Sequence, residues 1–211
     1  MLSERLGFLS SSPVRARVAW RGLAARPTEH RIGEVALTHI AEAIERVRVL
    51  LGRRPRAAIH ADEAATACLQ EDLRVLMRHG GGVQITTDMP GDLGGGGIQP
   101  TPGWLLRAGL ASCAATCIAM EAATAGITLQ RLEITARSTS DSRGILCVPG
   151  ERGETISAAP TSVELEIRAA AAGTSAKQLT ELIANGCRCS PVSCALQSAI
   201  PVTLRIEVEA L

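Results

Sequence analysis

The stretch "PTPGWLLRAGLASCAATCIAMEAATAG", residues 100–126, constrains the fold more than any other. Thr101 is a natural N-cap and Pro102 a natural first helical residue, so the chain turns helical there. Gly126 is a natural C-terminal stop. Between them the helix is apolar almost all round from Ala108 to Met120. A helix without a polar face must be covered on several sides, so this one is expected at the centre of the fold. Its Ala, Gly, Ser and Cys residues let neighbouring backbones come close. The uncharged run is shorter than the roughly 20 residues a membrane span needs, which favours a core helix.

The elements around it follow from periodicity. "IGEVALTHIAEAIERVRVLL" spaces Val35, Ile40, Ile44, Val47 and Leu51 near helical intervals, and "GRRPRAAIHADE" then breaks that helix. We place a domain boundary near residue 60, with a tail and helical extension over 1–60 and the main domain over 61–211. "ATACLQEDLRVLMRHGGGVQITTDMP" reads as three short strands, turned at Glu71-Asp72 and at Gly80-Gly81-Gly82. "GDLGGGG", residues 91–97, lacks the Gly-Lys-Ser/Thr ending of a phosphate loop and reads as a flexible link. "RLEITAR" and "SVELEIRA" alternate apolar and polar residues as half-buried strands do, with a long polar loop or hairpin over 138–161. Ser175 and Gln178 form a capping box for a second helix, and Ser190-Pro191 opens a third that ends by Pro201. Val202, Leu204, Ile206 and Val208 lie on one face of a closing strand. The order β-β-β-α-β-β-α-α-β gives an α+β class: antiparallel sheet around a buried central helix.

Composition narrows the function. A net charge of +1 offers no electrostatic case for nucleic acid or an acidic membrane. Two Trp, one Phe and no Tyr cannot build base-stacking platforms. Seven cysteines, an odd and clustered set, suit reduced thiols in a cytoplasm better than a secreted disulfide scaffold. The first thirty residues carry many Arg and only Glu4 and Glu29 as acids, which resembles a transit peptide; a frayed tail is the plainer expectation.

The cysteines carry the chemistry. Cys113 and Cys117 share one face of the central helix. "NGCRCSPVSCAL" holds Cys187, Cys189 and Cys194, with Cys189 just before Ser190-Pro191. Unpaired N–H groups at a helix mouth favour a thiolate, the nucleophile of peroxide and disulfide chemistry, and Arg188 adds positive charge. A zinc site on Cys187, Cys189 and Cys194 has unusual spacing and no following histidine. Ser112 lacks the Gly-X-Ser-X-Gly elbow of a hydrolase.

These blocks resemble the osmotically inducible protein C (OsmC) and organic hydroperoxide resistance family over roughly residues 64–211. The resemblance rests on the cysteine in a small-residue central helix and on "SPVSCALQSAIPVTLRIEVE". It implies an intertwined homodimer, in which two six-stranded antiparallel sheets wrap two central helices. It also implies a thiol peroxidase without a cofactor or metal: Cys113 attacks an organic hydroperoxide and becomes a sulfenic acid. A second cysteine closes a disulfide, and a dithiol such as a lipoyl group reopens it. We assign that second role to Cys189, with Cys117, Cys187 and Cys194 as alternatives. Two departures mark a divergent branch. Ser190 stands where the family has its second cysteine, and Gly103 stands where a glutamate helps to hold an active-site arginine; Arg74, Arg78 and Arg107 are candidates for that arginine. The alternative function is an OsmC-fold protein that binds a small apolar ligand or senses oxidants without turnover.

Overall fold

The computed structural model describes residues 37–198 and 200–209, all within one compact unit. The expectations for the N-terminal tail lie outside these residues. Helix α1 (Leu37–Arg53) packs against α2 (Pro102–Thr124) and ends in a 3-10 turn at Pro55–Ala58. Three short strands follow, β1 (Thr66–Leu69), β2 (Val75–Arg78) and β3 (Gln84–Thr87), in an antiparallel meander with Met77 opposite both Ala67 and Ile85. Asp72 takes a positive φ of 53° in the first turn and Gly82 one of 87° in the second. Such backbone is cheap for glycine and tolerated by aspartate.

The glycine-rich segment is not a loose link. Asp88 is 1% exposed, and its Oδ1 accepts from the Met89 N–H at 2.8 Å while Oδ2 accepts from the Gly96 N–H at 3.0 Å. The loop folds back through a 3-10 turn at Gly91–Leu93, and the Asp88 N–H donates to the Pro100 carbonyl at 3.1 Å. A side chain at Gly95 would run into the Met89 carbonyl. The glycines therefore allow close backbone approach around one buried carboxylate.

Helix α2 forms as its caps dictate: the Thr101 hydroxyl accepts from the Trp104 N–H, and Gly126 takes a φ of 67° just beyond the end. It contacts α1, strand β4 (Leu129–Thr139), α4 (Ala176–Arg188) and α5 (Pro191–Gln197). Leu110, Ala114, Ile118 and Ala122 repeat every fourth residue and form its buried face. Ile118, Ala122, Leu129 and Leu182 make the core cluster, each large side chain contributing about 1.5–3 kcal/mol by burial. Coverage on several sides does not hold within one chain, because Trp104, Leu106 and Met120 remain exposed. By length and composition α2 is also apolar enough to cross a membrane, although Arg107 and Glu121 interrupt it.

Strands β4 and β5 (Ser162–Ala171) pair antiparallel, with Ile134 opposite Ile167, and the loop joining them contains the short helix α3 (Ser142–Ile145). Ser175 and Gln178 close the expected capping box at the start of α4. The closing strand is a correction. Residues 200–209 form no strand, and Val202, Leu204, Ile206 and Val208 are 85%, 79%, 78% and 86% exposed. A strand needs a paired edge for its backbone and a surface for its apolar face, and this chain supplies neither to that segment.

Candidate functional site

Helix α2 carries Cys113 and Cys117 one turn apart, and the junction of α4 and α5 lies against them. Gly186 makes that closeness possible: a Cβ placed there would stand 2.7 Å from Ile118 Cα. The junction is tightly built. Ser190 is fully buried as the N-cap of α5, and its Oγ accepts from the Ser193 N–H at 3.4 Å.

Cys113 is half-buried, and burial alone pushes its thiol up. Its surroundings more than offset that, the Ser190 hydroxyl first, then the Val192 backbone N–H, with a smaller contribution from the adjacent Cys117. The result is a thiol held below its ordinary value, poised to act as a thiolate. Cys117 moves the other way, raised first by burial and then by its neighbours Cys113, Cys189 and Cys187. Its Sγ donates to the Cys189 carbonyl at 3.5 Å. Burial also raises Cys187, which packs on the core cluster. Cys194 is exposed and donates to the Arg188 carbonyl at 3.4 Å.

Cys189 is the C-cap of α4, not the mouth of α5, and its side chain is exposed. Its N–H turns back to the Asn185 and Gly186 carbonyls. The free N–H groups of α5 therefore serve Cys113 and Ser190, a correction to the expectation that they serve Cys189. The cause is the one-residue offset: the N-cap is Ser190, and the first turn of α5 faces α2. Cys117 lies beside Cys113 on the same helical face, as their i,i+4 spacing indicates.

No arginine is among the groups acting on Cys113. Arg107 Nη1 donates to Ser138 Oγ at 3.1 Å. Arg74 reaches the Asp88 loop, its Nη2 3.6 Å from a Cβ built at Gly96, and Arg78 ends β2. Among the described residues, no group of three His, Cys, Asp or Glu could hold a metal ion.

A cavity of about 450 Å³ adjoins the junction, lined by the apolar Leu110, Val163, Leu165 and Leu196 and by the polar Thr161, Ser162, Ser193 and Gln197, among others. Leu110 lies one turn before Cys113, and the Ser193 hydroxyl is buried without a hydrogen-bond partner. A cleft of mixed lining with an unsatisfied hydroxyl in it suits a ligand with both apolar and polar parts.

Comparison with known proteins agrees with this architecture. The sequence model of the OsmC-like protein family matches residues 94–205, and the chain belongs to that family. An OsmC-like protein of Mycoplasma pneumoniae superposes with a TM-score of 0.55 at 20% identity, over 67% of this chain and 91% of that one. An OsmC-like protein of unknown function from Vibrio cholerae gives a TM-score of 0.52 at 14% identity, over 64% of this chain and 94% of that one. An organic hydroperoxide resistance protein of Elizabethkingia anophelis gives 0.49 at 20% identity, over 67% and 91%. At such identities the first two of these matches show the fold alone. No curated protein matches the chain.

Proposed function

We propose that this protein is a cysteine-dependent peroxidase that reduces organic hydroperoxides and works as an intertwined homodimer. The observation that carries the reading is the setting of Cys113 against the α4–α5 junction, where the Ser190 hydroxyl and the Val192 N–H offset burial and favour the thiolate. A thiolate there attacks the terminal oxygen of RO–OH. The O–O bond breaks, Cys113 becomes a sulfenic acid, and the alkoxide leaves and takes a proton. Condensation with a second thiol releases water and leaves a disulfide, which an external dithiol such as a lipoyl group reduces. Cys189 is exposed, as is Cys194, so such a reductant can reach it. The leucine and valine side chains on one part of the adjoining cavity favour an organic peroxide over hydrogen peroxide. Stoichiometric cumene hydroperoxide is expected to remove two titratable thiols of the seven, restored by dithiothreitol. An unchanged thiol count would reject the reading.

Binding without turnover is the second reading, favoured by the unpartnered Ser193 hydroxyl in that cavity. Sustained peroxide consumption with a dithiol would dispose of it.

The dimer is supported by apolar surface that one chain leaves uncovered: Val202 to Val208, Leu69, Val83 and Ile85 on the meander, and Trp104 on α2. Exposed apolar area of this extent marks an interaction surface. Light scattering is expected to give twice the chain mass. The double substitution Leu204→Asp with Ile206→Asp is expected to give the single-chain mass, and an unchanged mass would count against the intertwined arrangement.

A further inference from the structure

We propose that Cys113, Cys117 and Cys189 form a thiol relay, in which the oxidising equivalent taken up at Cys113 passes through Cys117 to the exposed Cys189. This rests on the reading of Cys113 as the residue that peroxide oxidises. The residue packed on the Cys113 sulfur from the α4–α5 junction is Ser190, which has no thiol to give. The one cysteine acting on Cys113 is Cys117, four residues on along the same helical face. Cys117 in turn hydrogen-bonds the Cys189 backbone at 3.5 Å, and Cys189 opens to solvent. Cys117 therefore stands between a sheltered thiol and an exposed one.

Each step balances. In the first, the Cys117 sulfur attacks the sulfenic sulfur of Cys113. An S–S bond forms, the S–O bond breaks, and the hydroxide leaves with the Cys117 proton as water. In the second, the Cys189 thiolate attacks the Cys117 sulfur. The Cys117–Cys189 bond forms, the Cys113–Cys117 bond breaks, and its electron pair leaves on Cys113 with no net redox change. In the third, an external dithiol is oxidised to its own disulfide and returns both thiols.

Two physical arguments give the relay its direction. Exchange expels the thiol of lower pKa more readily, and the donors around Cys113 lower its thiol while burial raises that of Cys117. Attack on Cys117 therefore releases Cys113. In addition, Cβ atoms at i,i+4 in a helix lie about 5–6 Å apart, whereas a disulfide prefers about 3.5–4.5 Å. The first disulfide is strained and passes on readily; the second frees the helix.

The full-length protein tests this. Trypsin leaves Cys113 and Cys117 on one peptide, residues 108–131, and Cys189 on another, residues 189–205. After one equivalent of cumene hydroperoxide and rapid alkylation, mass spectrometry of the wild type is expected to show these peptides joined through Cys117 and Cys189. Cys189→Ser is expected to collect the internal disulfide of peptide 108–131 and to lose turnover with dithiol. Cys117→Ser is expected to hold Cys113 as a sulfenic acid trapped by dimedone, with the cross-link lost. A Cys113–Cys189 link formed in Cys117→Ser at the wild-type rate would overturn the relay. Should Cys117→Ser not fold, Cys189→Ser decides alone: a Cys113 sulfenic acid that persists there without bonding Cys117 also overturns it. Absence of any sulfenic acid at Cys113 in all variants defeats the peroxidase reading itself, and is distinguishable from failure of the relay.

Discussion

Cys113→Ser is expected to lower hydroperoxide turnover by on the order of 10³-fold or more, the scale on which loss of a covalent nucleophile acts. A serine hydroxyl in this position keeps its proton at neutral pH and cannot take the peroxide oxygen. The Ser190 hydroxyl and the Val192 N–H, which favour a thiolate at Cys113, then have no anion to stabilise. The fold should survive, since Cys113 is only half-buried and the change is nearly isosteric. Circular dichroism and the melting temperature should be close to wild type while peroxide consumption with dithiothreitol vanishes. Retention of more than about a tenth of the activity would move the chemistry to another thiol.

The pH dependence sharpens that test. Activity requires the thiolate, so it rises as pH rises through the pKa of Cys113, with a midpoint below the ordinary thiol range. Ser190→Ala removes one donor and should move that midpoint upward while leaving the Val192 N–H in place. A profile that does not move would mean that Ser190 merely caps α5.

How much of this was legible in the sequence divides by the range of the interaction. Local signals held. Thr101, Pro102 and Gly126 bounded α2, Ser175 with Gln178 bounded α4, and the three strands before α2 fell between the expected turns. These depend on backbone hydrogen bonds within a few residues, which side-chain identity encodes directly. Signals that depend on distant partners did not hold. "GDLGGGG" looked flexible because its organising group, the Asp88 carboxylate, stands outside the glycine run and acts through burial. Val202 to Val208 carry a strand's alternation, but alternation names a face without naming the edge that pairs with it. At the site, Cys113 stood out by its place in a small-residue helix. The donors around it did not, because an N–H from Val192 becomes available only once α4 and α5 fold back onto α2.

Gly186→Ala should be the single added methyl that most disturbs the candidate site. Gly186 is buried in the last turn of α4, and a Cβ there would meet Ile118 Cα at 2.7 Å and Ile118 N at 2.9 Å. These are backbone atoms of α2, so no rotamer change relieves the clash and the two helices must separate. On an open helix, alanine is more favourable than glycine by about 1 kcal/mol; here overpacking costs about 1–3 kcal/mol and reverses the sign. For a chain of this size that corresponds to a melting temperature lower by roughly 2–12 °C. The damage also reaches the chemistry, because Gly186 is four residues before Ser190 and holds the α4–α5 junction against Cys113. Separation pulls the Ser190 hydroxyl and the Val192 N–H away from the sulfur, so thiolate formation should weaken even in protein that remains folded. Gly52→Ala, at a position in α1 with nothing within 4 Å of the added carbon, is the matched control and should be neutral or stabilising. Equal melting temperatures and equal peroxide turnover for Gly186→Ala and wild type would show that α4 does not press on α2 as described, and the account of why Cys113 is reactive would fall with it.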